Sequence, residues 1–349
     1  MHFAIVGAGT IGAVHARLIG ALADEGVRLT AVVNTNLERA KLITERYGGR
    51  PYTSAAEAYA HEEIDAVSVC VPSWLHSEVT VEALRAGKHV LVEKPVEISL
   101  EAADSIAEAR RSAGRTVAVV SQRRFQPPAA FIKEAVTSGR LGRVTSGIAE
   151  SPFFRPQSYY DSGGWRGTLA CDGGGALMNQ GIHALDLLIW MLGRPVTVTA
   201  QTGQVAHEGI EVEDVAAATI RFENGAIGVL LASTAAYPDR PIRLTVHGDR
   251  GTAVMADDRL AFFQSAEVAD PNAAGLLPLP ADPDRPGWSA VDHAQLAQYR
   301  DFVTAVRDGR SPAVPLEAGR LTLAVVLAVY ESARTGHPVD LADRAEVRP

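Results

Sequence analysis

The stretch HFAIVGAGTIGAVHARLIG, residues 2–20, decides the fold of this chain. His2–Val6 is an apolar run that predicts a short buried strand, and the residues from Thr10 onward have helical spacing. Between them lies a G-x-G-x-x-G pattern. Its first glycine allows a tight turn, its second lets a pyrophosphate approach the backbone, and its third lets the helix pack on the strand. The helix N-terminus then offers N–H groups to phosphates. The stretch therefore predicts cofactor contacts at Gly7, Gly9, Thr10, Ile11 and Gly12.

Strands and helices alternate through the first 120 residues. Further strands are predicted at Arg28–Val33, Ile64–Val71, His89–Val92 and Thr116–Val120, and helices at Leu37–Tyr47, Ser77–Ala86 and Leu100–Ala113. Strict alternation predicts a doubly wound parallel sheet with helices on both faces and right-handed crossovers. Residues 1–121 are thus expected to form an α/β Rossmann domain that binds a dinucleotide.

The pattern changes after residue 121. Helices are predicted at Pro127–Ser138, Ala176–Met191, Ala290–Asp308 and Leu316–Thr335, and strands at Arg143–Ala149, Val196–Gln201, Val215–Phe222, Ala226–Ala232 and Ile242–His247. Asn224-Gly225 is a strong hairpin signal between two of these strands. Asp270–Gly287 is proline-rich and is expected to be an exposed loop. Residues 122–349 are therefore expected to form an α+β domain with a large open, mostly antiparallel sheet.

Composition excludes several classes of protein. The 349 residues include 33 Lys+Arg and 41 Asp+Glu, a net charge of −8, which argues against a nucleic-acid or anionic-membrane partner. Cys70 and Cys171 are the only cysteines, which excludes a disulfide scaffold and a multi-cysteine metal site. No apolar run approaches the roughly 18 residues of a membrane span. We expect a soluble cytoplasmic enzyme without a metal.

The residue after the second strand bears on the choice of cofactor. For NAD an acidic residue is expected about 20 positions past the glycines, where it contacts the ribose. Asn34 stands there, 22 positions after Gly12. Its amide can bind a 2′-hydroxyl but lacks the charge that repels a 2′-phosphate, so both NAD and NADP stay open. Since no Lys or Arg is adjacent, the sequence favours NAD.

Polar residues follow the next two buried strands. Pro72, Ser73 and His76 come after one strand, and Glu93 and Lys94 come after the other. Because ligands bind outside the carboxyl ends of such strands, we expect all five to line the cofactor site. The ammonium of Lys94 can hold a substrate oxygen where charge develops. A solvated surface lysine is an equally weighted alternative.

A glycine-led helix carries a possible acid–base group. Gly173–Gly175 precede it, and Asn179 and His183 are spaced i, i+4 on one helical face. Imidazole suits proton transfer because its unperturbed pKa is about 6.5. Periodicity alone favours the alternative, a buried structural histidine.

The motifs together resemble the Gfo/Idh/MocA oxidoreductase family. They are GAGTIGAVH (7–15), VPSWLHSE (71–78), AGKHVLVEKP (86–95) and GGGALMNQGIHALDLL (173–188), and the similarity extends to residues 299–309 and 321–336. The resemblance implies NAD(P)-dependent oxidation or reduction of sugars, inositols and related polyols. It also implies a Rossmann domain followed by an open-sheet domain that joins subunits into homodimers or homotetramers. Lys94 matches the family's active-site lysine, and His183 matches its active-site histidine.

One position departs from the family pattern. Many members carry Asp where this chain has Asn179, and an amide cannot raise the pKa of His183 by pairing with its cation. Asp186 is a possible substitute for that charge. The segment with Arg155, Tyr160, Trp165 and Arg166 resembles a substrate loop, suited to sugar rings, hydroxyls, a carboxylate or a phosphate. A structural role for these residues is an open alternative.

The expected chemistry is hydride transfer between nicotinamide and a secondary alcohol or ketone. His183 would take the hydroxyl proton, Asn179 would support it, and Lys94 would polarise the same oxygen. Proton transfer by Lys94 itself is an open alternative. Two alternatives stay open: a non-catalytic NAD(P)-binding sensor of the same fold, and an imine or enone reductase.

Overall fold

Two compact units make up the computed structural model, which describes residues 1–266, 285, 287–342 and 344. The first unit comprises Met1–Val120 and Gln295–Arg320, and the second comprises the described residues of 121–294 and of 321–346. This division differs from the single boundary expected near residue 121. The reason is packing, because the rings of Tyr299 and Phe302 lie 5.7 and 6.0 Å from that of Phe3.

The first unit contains a doubly wound parallel sheet. Its described strands are β1 His2–Val6, β2 Arg28–Val33, β3 Arg50–Tyr52, β4 Ala66–Val69, β5 His89–Val92 and β6 Val117–Val119. Its helices are α1 Thr10–Gly20, α2 Leu37–Tyr47, α3 Ala55–His61, α4 His76–Arg85 and α5 Leu100–Ala113. The strand order is β3-β2-β1-β4-β5-β6, with every pair parallel. The predicted Rossmann architecture is confirmed, and β3 and α3 were not predicted.

The strand order indicates at which edge of the sheet a ligand would bind. The chain winds outward in both directions from β1, so the order reverses between β1 and β4. Nearly every residue of these two strands is buried, which explains their continuous apolar sequence. Ligands of such sheets bind outside the carboxyl ends of the strands at the point of reversal. Gly7 and Val71 follow those ends, and Glu93 follows the same end of β5.

The second unit contains a large open sheet. Its described strands are β7 Val144–Pro152, β8 Pro195–Gly203, β9 Val215–Phe222, β10 Ile227–Ser233, β11 Arg243–Gly248, β12 Gly251–Ala256, β13 Arg259–Ser265 and β14 Val339–Asp340. The remaining helices of the described chain are α6 Pro127–Thr137, α7 Gln157–Asp161, α8 Leu169–Asp172, α9 Ile182–Leu192, α10 Ala290–Asp308 and α11 Leu316–Thr335. The order is β13-β12-β11-β7-β10-β9-β8-β14, and only β7 with β10 is parallel among these pairs. The mostly antiparallel sheet is confirmed, as is the hairpin at Asn224-Gly225.

The two faces of this sheet differ. Buried and exposed residues alternate along β9 and β10, as expected for a strand with one covered face. On the covered face, a Cβ added at Gly147 or Gly228 would lie within about 3 Å of Leu188 of α9, so the helix packs closely there. The other face exposes apolar side chains, among them Ile148, Val229 and Leu231.

The helix expected over 176–191 is not uniform. It begins with one π-helical turn, Leu177–Gly181, and continues as α9. A Cβ on Gly181 would lie 2.4 Å from that of Ala232, so only glycine lets the turn approach β10. No helix in the described ranges is long and apolar enough to cross a membrane. The proline-rich segment 270–287 lies almost wholly outside the described residues.

Candidate functional site

The glycines after β1 have different roles in the first unit. Gly7 has φ +110°, and a Cβ there would lie 2.4 Å from the carbonyl oxygen of Cys70. A Cβ on Gly12 would lie 2.0 Å from the carbonyl oxygen of Gly7. The fold itself therefore requires both glycines. Gly9 has ordinary extended geometry and no described atom within 4 Å of the Cβ position. The open space at Gly9 fits the approach of a pyrophosphate to the start of α1.

Two further residues at this start are also accessible. Thr10 and Ile11 form the first turn of α1, and the side chain of Ile11 is 47% exposed. A first helical turn directs its N–H groups outward along the axis. The position of both residues is compatible with the predicted cofactor contact.

Asn34 braces the glycine loop. Its Oδ1 accepts a hydrogen bond from the N–H of Ala8 at 3.1 Å, and its Nδ2 donates to the carbonyl oxygen of Asn36 at 3.1 Å. A carboxylate could accept the first bond but could not donate the second. Asparagine therefore joins the end of β2 to the loop, in addition to any contact it makes with a ribose.

His76, one of the predicted cofactor contacts, is buried in the structure. Pro72 and Ser73 lead through a short 3₁₀ turn to α4, but His76 is only 1% exposed. Its Nδ1 lies 2.7 Å from the carbonyl oxygen of Pro95, and its Nε2 lies 2.9 Å from that of Val71. Burial lowers the pKa of His76 against the opposing effect of these carbonyls. Since the ring has almost no free surface, the direct contact expected of His76 is corrected to support of the turn that carries Lys94.

Glu93 and Lys94 follow β5. The Glu93 side chain is 12% exposed, and its carboxylate lies 3.0 Å from Nε2 of His15 and accepts the Lys94 N–H at 3.1 Å. Burial pushes the pKa of Glu93 up, but the His15 hydrogen bond and the charges of His15 and Lys94 outweigh it, so the pKa is lowered. Lys94 is half-buried and joined to Pro95 by a cis peptide bond. The Glu93 carboxylate thus lies next to the backbone N–H of Lys94.

In the second unit, a buried carboxylate caps the glycine-led turn. Oxygens of Glu213 accept the N–H groups of Gly175 and Leu177 at 2.8 Å each, and the Tyr330 hydroxyl donates to the same carboxylate at 3.0 Å. Burial raises the pKa of Glu213. A Cβ on Gly174 would lie 2.1 Å from the Tyr330 hydroxyl, and one on Gly175 1.8 Å from the Glu213 carbonyl oxygen. The glycine run therefore serves close packing, which the sequence alone did not reveal.

The predicted acid–base group stands just beyond this cap. Asn179 lies in the π turn, where its Nδ2 donates to the Gly174 carbonyl oxygen at 3.3 Å, and His183 lies in the first turn of α9. Both are half-buried. The π turn differs from the regular α-helix expected over these two residues, and their common face stays a prediction. π turns within helices are frequent at functional sites.

Asp186 is held by residues from other parts of the second unit. Its carboxylate forms a bidentate ion pair with Arg124, at 2.8 and 2.6 Å, and also accepts from Ser121 and, at 3.2 Å, from Thr322. A carboxylate has about four acceptor positions, and these bonds occupy them. Residues distant in the chain therefore bind Asp186, and its role as a counter-charge for His183 stays a prediction.

The predicted substrate loop is partly structural. Tyr160 is 8% exposed, its hydroxyl lies 2.8 Å from Oγ1 of Thr234, and it packs with Ile210 and Val212. Its side chain belongs to a small core, so the direct substrate contact expected of Tyr160 is corrected to support of the loop. His207 also contacts this loop, because its Nε2 lies 2.7 Å from the Arg155 carbonyl oxygen.

Asp214 in turn fixes His207. It accepts three backbone N–H groups, those of residues 205–207, and lies 3.0 Å from the ring Nδ1 of His207. These hydrogen bonds hold the pKa of Asp214 low although burial opposes them. No sequence pattern indicated this pair, because both residues lie in a polar loop.

The remaining loop residues form a cationic aromatic surface. The guanidinium of Arg166 lies 4.6 Å from the Tyr159 ring centroid and 4.9 Å from that of Trp165, and Arg155 lies 5.5 Å from Tyr159. Trp165 is 37% exposed. Nε of Arg166 is buried and has no hydrogen-bond partner within the described chain. Such a surface suits a sugar ring with an anionic group. No described group of His, Cys, Asp or Glu could hold a metal ion.

Comparisons with known proteins match both parts of the chain. Residues 1–121 match the family model described as an oxidoreductase family with an NAD-binding Rossmann fold. Residues 130–254 match the GFO/IDH/MocA C-terminal domain.

Curated relatives and solved structures are also similar to this chain. The chain is 29% identical to 1,5-anhydro-D-fructose reductase of Ensifer adhaerens, over 97% of each chain. It is 27% identical to myo-inositol 2-dehydrogenase of Thermotoga maritima, over 98% of this chain and 99% of the other. The WlbA dehydrogenase of Bordetella pertussis, solved with NADH and UDP-GlcNAcA, is 31% identical with a TM-score of 0.85, over 97% of this chain and 98% of that one.

Proposed function

The chain belongs to the GFO/IDH/MocA family of NAD-binding oxidoreductases, and on that premise we propose that it transfers a hydride between NAD and a secondary alcohol or ketone carbon of a sugar-like substrate. Membership confirms the resemblance drawn from the motifs. One observation carries the proposal: Lys94 follows β5 at the same sheet edge as the open space at Gly9, with the Glu93 carboxylate behind it.

We assign the cofactor contacts to the residues at that edge. Gly7, Gly9 and Gly12 shape the loop, and the first turn of α1, with Thr10 and Ile11, receives the pyrophosphate. Asn34 lies at the ribose position. No Lys or Arg is adjacent to it in the sequence to balance a 2′-phosphate, and Arg39 is exposed within α2, which supports NAD over NADP.

The catalytic roles follow from the chemistry of the side chains. When bound, the nicotinamide supplies the hydride acceptor or donor. Lys94 binds the substrate oxygen and stabilises the negative charge that develops on it. His183 takes the hydroxyl proton during oxidation and returns it during reduction. Asn179, fixed by the Gly174 carbonyl, orients the histidine without adding a charge.

The loop surface supports a substrate with a negative group. Arg166 has a buried Nε without a partner in the described chain, and Trp165 beside it offers a ring face. Arg155 adds a second cation nearby. The solved relative at 31% identity contains a nucleotide sugar, UDP-GlcNAcA. We therefore place carboxylated or nucleotide-linked sugars ahead of neutral polyols.

A steady-state screen tests these assignments. NADH formation is measured with NAD or NADP against inositols, aldoses, sugar acids and UDP-linked sugar acids. Lys94→Met and His183→Gln are expected to lower kcat by about 10²–10⁴ with little change in NAD affinity. Lys88→Met, the same change just before the amino end of β5, is the matched control and is expected to be active.

The rival functions give different results. Full turnover in Lys94→Met would contradict the proposed mechanism. Tight NAD binding without turnover of any substrate would favour a non-catalytic sensor. Turnover confined to imines or enones would favour a reductase of that class.

We further propose that two copies associate through the exposed face of the second unit's sheet. Ile148 pairs with Val229 in neighbouring strands, and Leu231 lies next to them on the same face. An apolar patch of this kind is typical of a protein interface. The first unit then serves the cofactor and the second serves substrate and assembly. Cys70 and Cys171 are free thiols, in keeping with work in the cytoplasm.

A further inference from the structure

A chain of polar side chains lies buried behind Glu93 in the first unit. Oε1 of Glu93 lies 3.0 Å from Nε2 of His15, and Nδ1 of His15 lies 2.7 Å from the Tyr299 hydroxyl. That hydroxyl lies 2.6 Å from Oγ of Ser68. The side-chain amide of Gln295 also lies 3.0 Å from Nε2 of His15. His15, Ser68 and Tyr299 are all 0% exposed.

This polar chain lies among apolar strands. The neighbouring residues of β1, β4 and β5 are buried and almost entirely apolar. Taking a carboxylate and an imidazole out of water costs several kcal/mol per ion, and replacing a buried ionic pair by apolar side chains is often neutral or stabilising. A polar chain retained at this place therefore points to a role in the site that Glu93 adjoins.

The chain does not lead protons to solvent. It ends at Ser68, within β4 and without exposed surface, and His15 and Tyr299 are equally enclosed, so that Glu93, at 12%, is its most exposed member. It can therefore act on Glu93 by charge and position, and not as a path to bulk water.

Of the groups near Glu93, His15 and Lys94 affect its charge most directly. Burial raises the pKa of the Cys70 thiol and that of the Tyr299 hydroxyl, so both stay neutral near pH 7. Burial lowers the pKa of His76. His15, on α1, and Lys94 are the remaining described partners of the carboxylate. Glu93 therefore lies between the His15 imidazole at 3.0 Å and Lys94, whose backbone N–H it accepts at 3.1 Å and whose charge lowers the pKa of Glu93.

We propose that His15 and Tyr299 are positioning residues that hold Glu93 as a carboxylate behind Lys94, and so keep the Lys94 ammonium charged and directed at the substrate oxygen. The inference rests on the proposed function, since it gives a purpose to the charge of the catalytic lysine. His15 is in α1, the helix whose first turn we assign to the pyrophosphate. One helix thus serves both the cofactor and the catalytic lysine.

The direction in which Glu93 shifts the pKa of Lys94 follows from their opposite charges. A carboxylate near an ammonium favours the charged form and raises its pKa, commonly by one to three units when close. Glu93→Gln removes the charge and keeps the shape. In that variant the alkaline limb of the kcat/KM profile is expected to move down by about one pH unit, because Lys94 loses its proton earlier.

The test measures the protonation of Lys94 across pH in two ways. The first is the pH profile of kcat/KM. The second uses the protein alone: acetylation of Lys94 by acetic anhydride is followed by mass spectrometry across pH, and its midpoint reports the lysine without substrate or cofactor. Glu93→Gln and Tyr299→Phe are compared with the wild type. Tyr299→Phe keeps the ring in the core and removes only the hydroxyl that contacts His15, so it stays informative if the Glu93 variant folds poorly.

Both midpoints are expected to fall in Glu93→Gln and, by a smaller amount, in Tyr299→Phe. Ser77→Ala is the matched control, because it removes a hydrogen bond to the Ala102 carbonyl in the same unit but outside the buried chain. It is expected to shift neither midpoint. Wild-type midpoints in folded Glu93→Gln and Tyr299→Phe, with Lys94→Met inactive, would overturn this inference alone. Activity in Lys94→Met would instead overturn the proposed function.

Discussion

Replacing Gly9 by alanine separates cofactor binding from folding. The added Cβ meets no described atom within 4 Å, and the φ of −87° at this position is ordinary for alanine. The main cost to the fold is a poorer helix N-cap, about 1 kcal/mol or less. The methyl group would, however, occupy the space through which a pyrophosphate approaches α1.

The expected loss of affinity follows from the hydrogen bonds at stake. If the methyl group displaces the pyrophosphate from two backbone N–H groups, each charge-assisted bond is worth about 1.5 kcal/mol or more. A loss of about 3 kcal/mol raises the Kd for NAD by about two orders of magnitude, since 1.4 kcal/mol is tenfold.

Calorimetric titration with NAD measures the Kd, and urea unfolding followed by circular dichroism measures stability. Gly20→Ala, at the other end of α1 and equally open, is the matched control and should leave the Kd unchanged. Gly12→Ala should instead lower the free energy of unfolding, because its Cβ would lie 2.0 Å from the Gly7 carbonyl oxygen. A Kd within threefold of wild type in Gly9→Ala would refute the assignment of this space to the pyrophosphate.

Two further predictions concern the second unit. Asp186→Asn should lower the free energy of unfolding by about 3–5 kcal/mol, because it leaves the Arg124 guanidinium buried without its charge partner. The same urea experiment on Glu317→Gln, which breaks a more exposed pair with Arg110, should show less than about 1 kcal/mol, and equal losses in the two variants would contradict this reasoning. Leu231→Glu should shift the molecular mass measured by light scattering toward the monomer with an unchanged circular dichroism spectrum; an unchanged mass would exclude this face as the interface.

Local sequence was sufficient for the architecture of both units. The glycine spacing of residues 7–12, the alternation of apolar runs and helical patterns, and the Asn-Gly hairpin each depend on neighbouring residues. Such signals act through backbone geometry and periodicity, which a single segment carries within itself. The short β3, with a proline at its centre, and the strands β12 and β13 lacked a clear signal of this kind.

The position of Lys94 directly after a buried strand also followed from sequence, because the end of a parallel strand is a local feature. The surroundings of that lysine did not. His15 and Tyr299 lie 284 positions apart in the chain. The sheet and helices of residues 1–120 bring His15 to Glu93, and residues 295–320 of the same unit bring Tyr299 to His15.

The sequence by itself determined the elements, their order and the chemical groups that follow the strands. The tertiary structure decided which of those groups are free for a ligand and which are bound within the protein. His76 lies between two backbone carbonyls, and Asp186 is held by Arg124. A side chain's partners depend on distant segments that fold beside it, and in a protein interior each buried polar group must find such a partner. That requirement fixes His76 in the interior and binds Asp186 to Arg124, while the space at Gly9 is open.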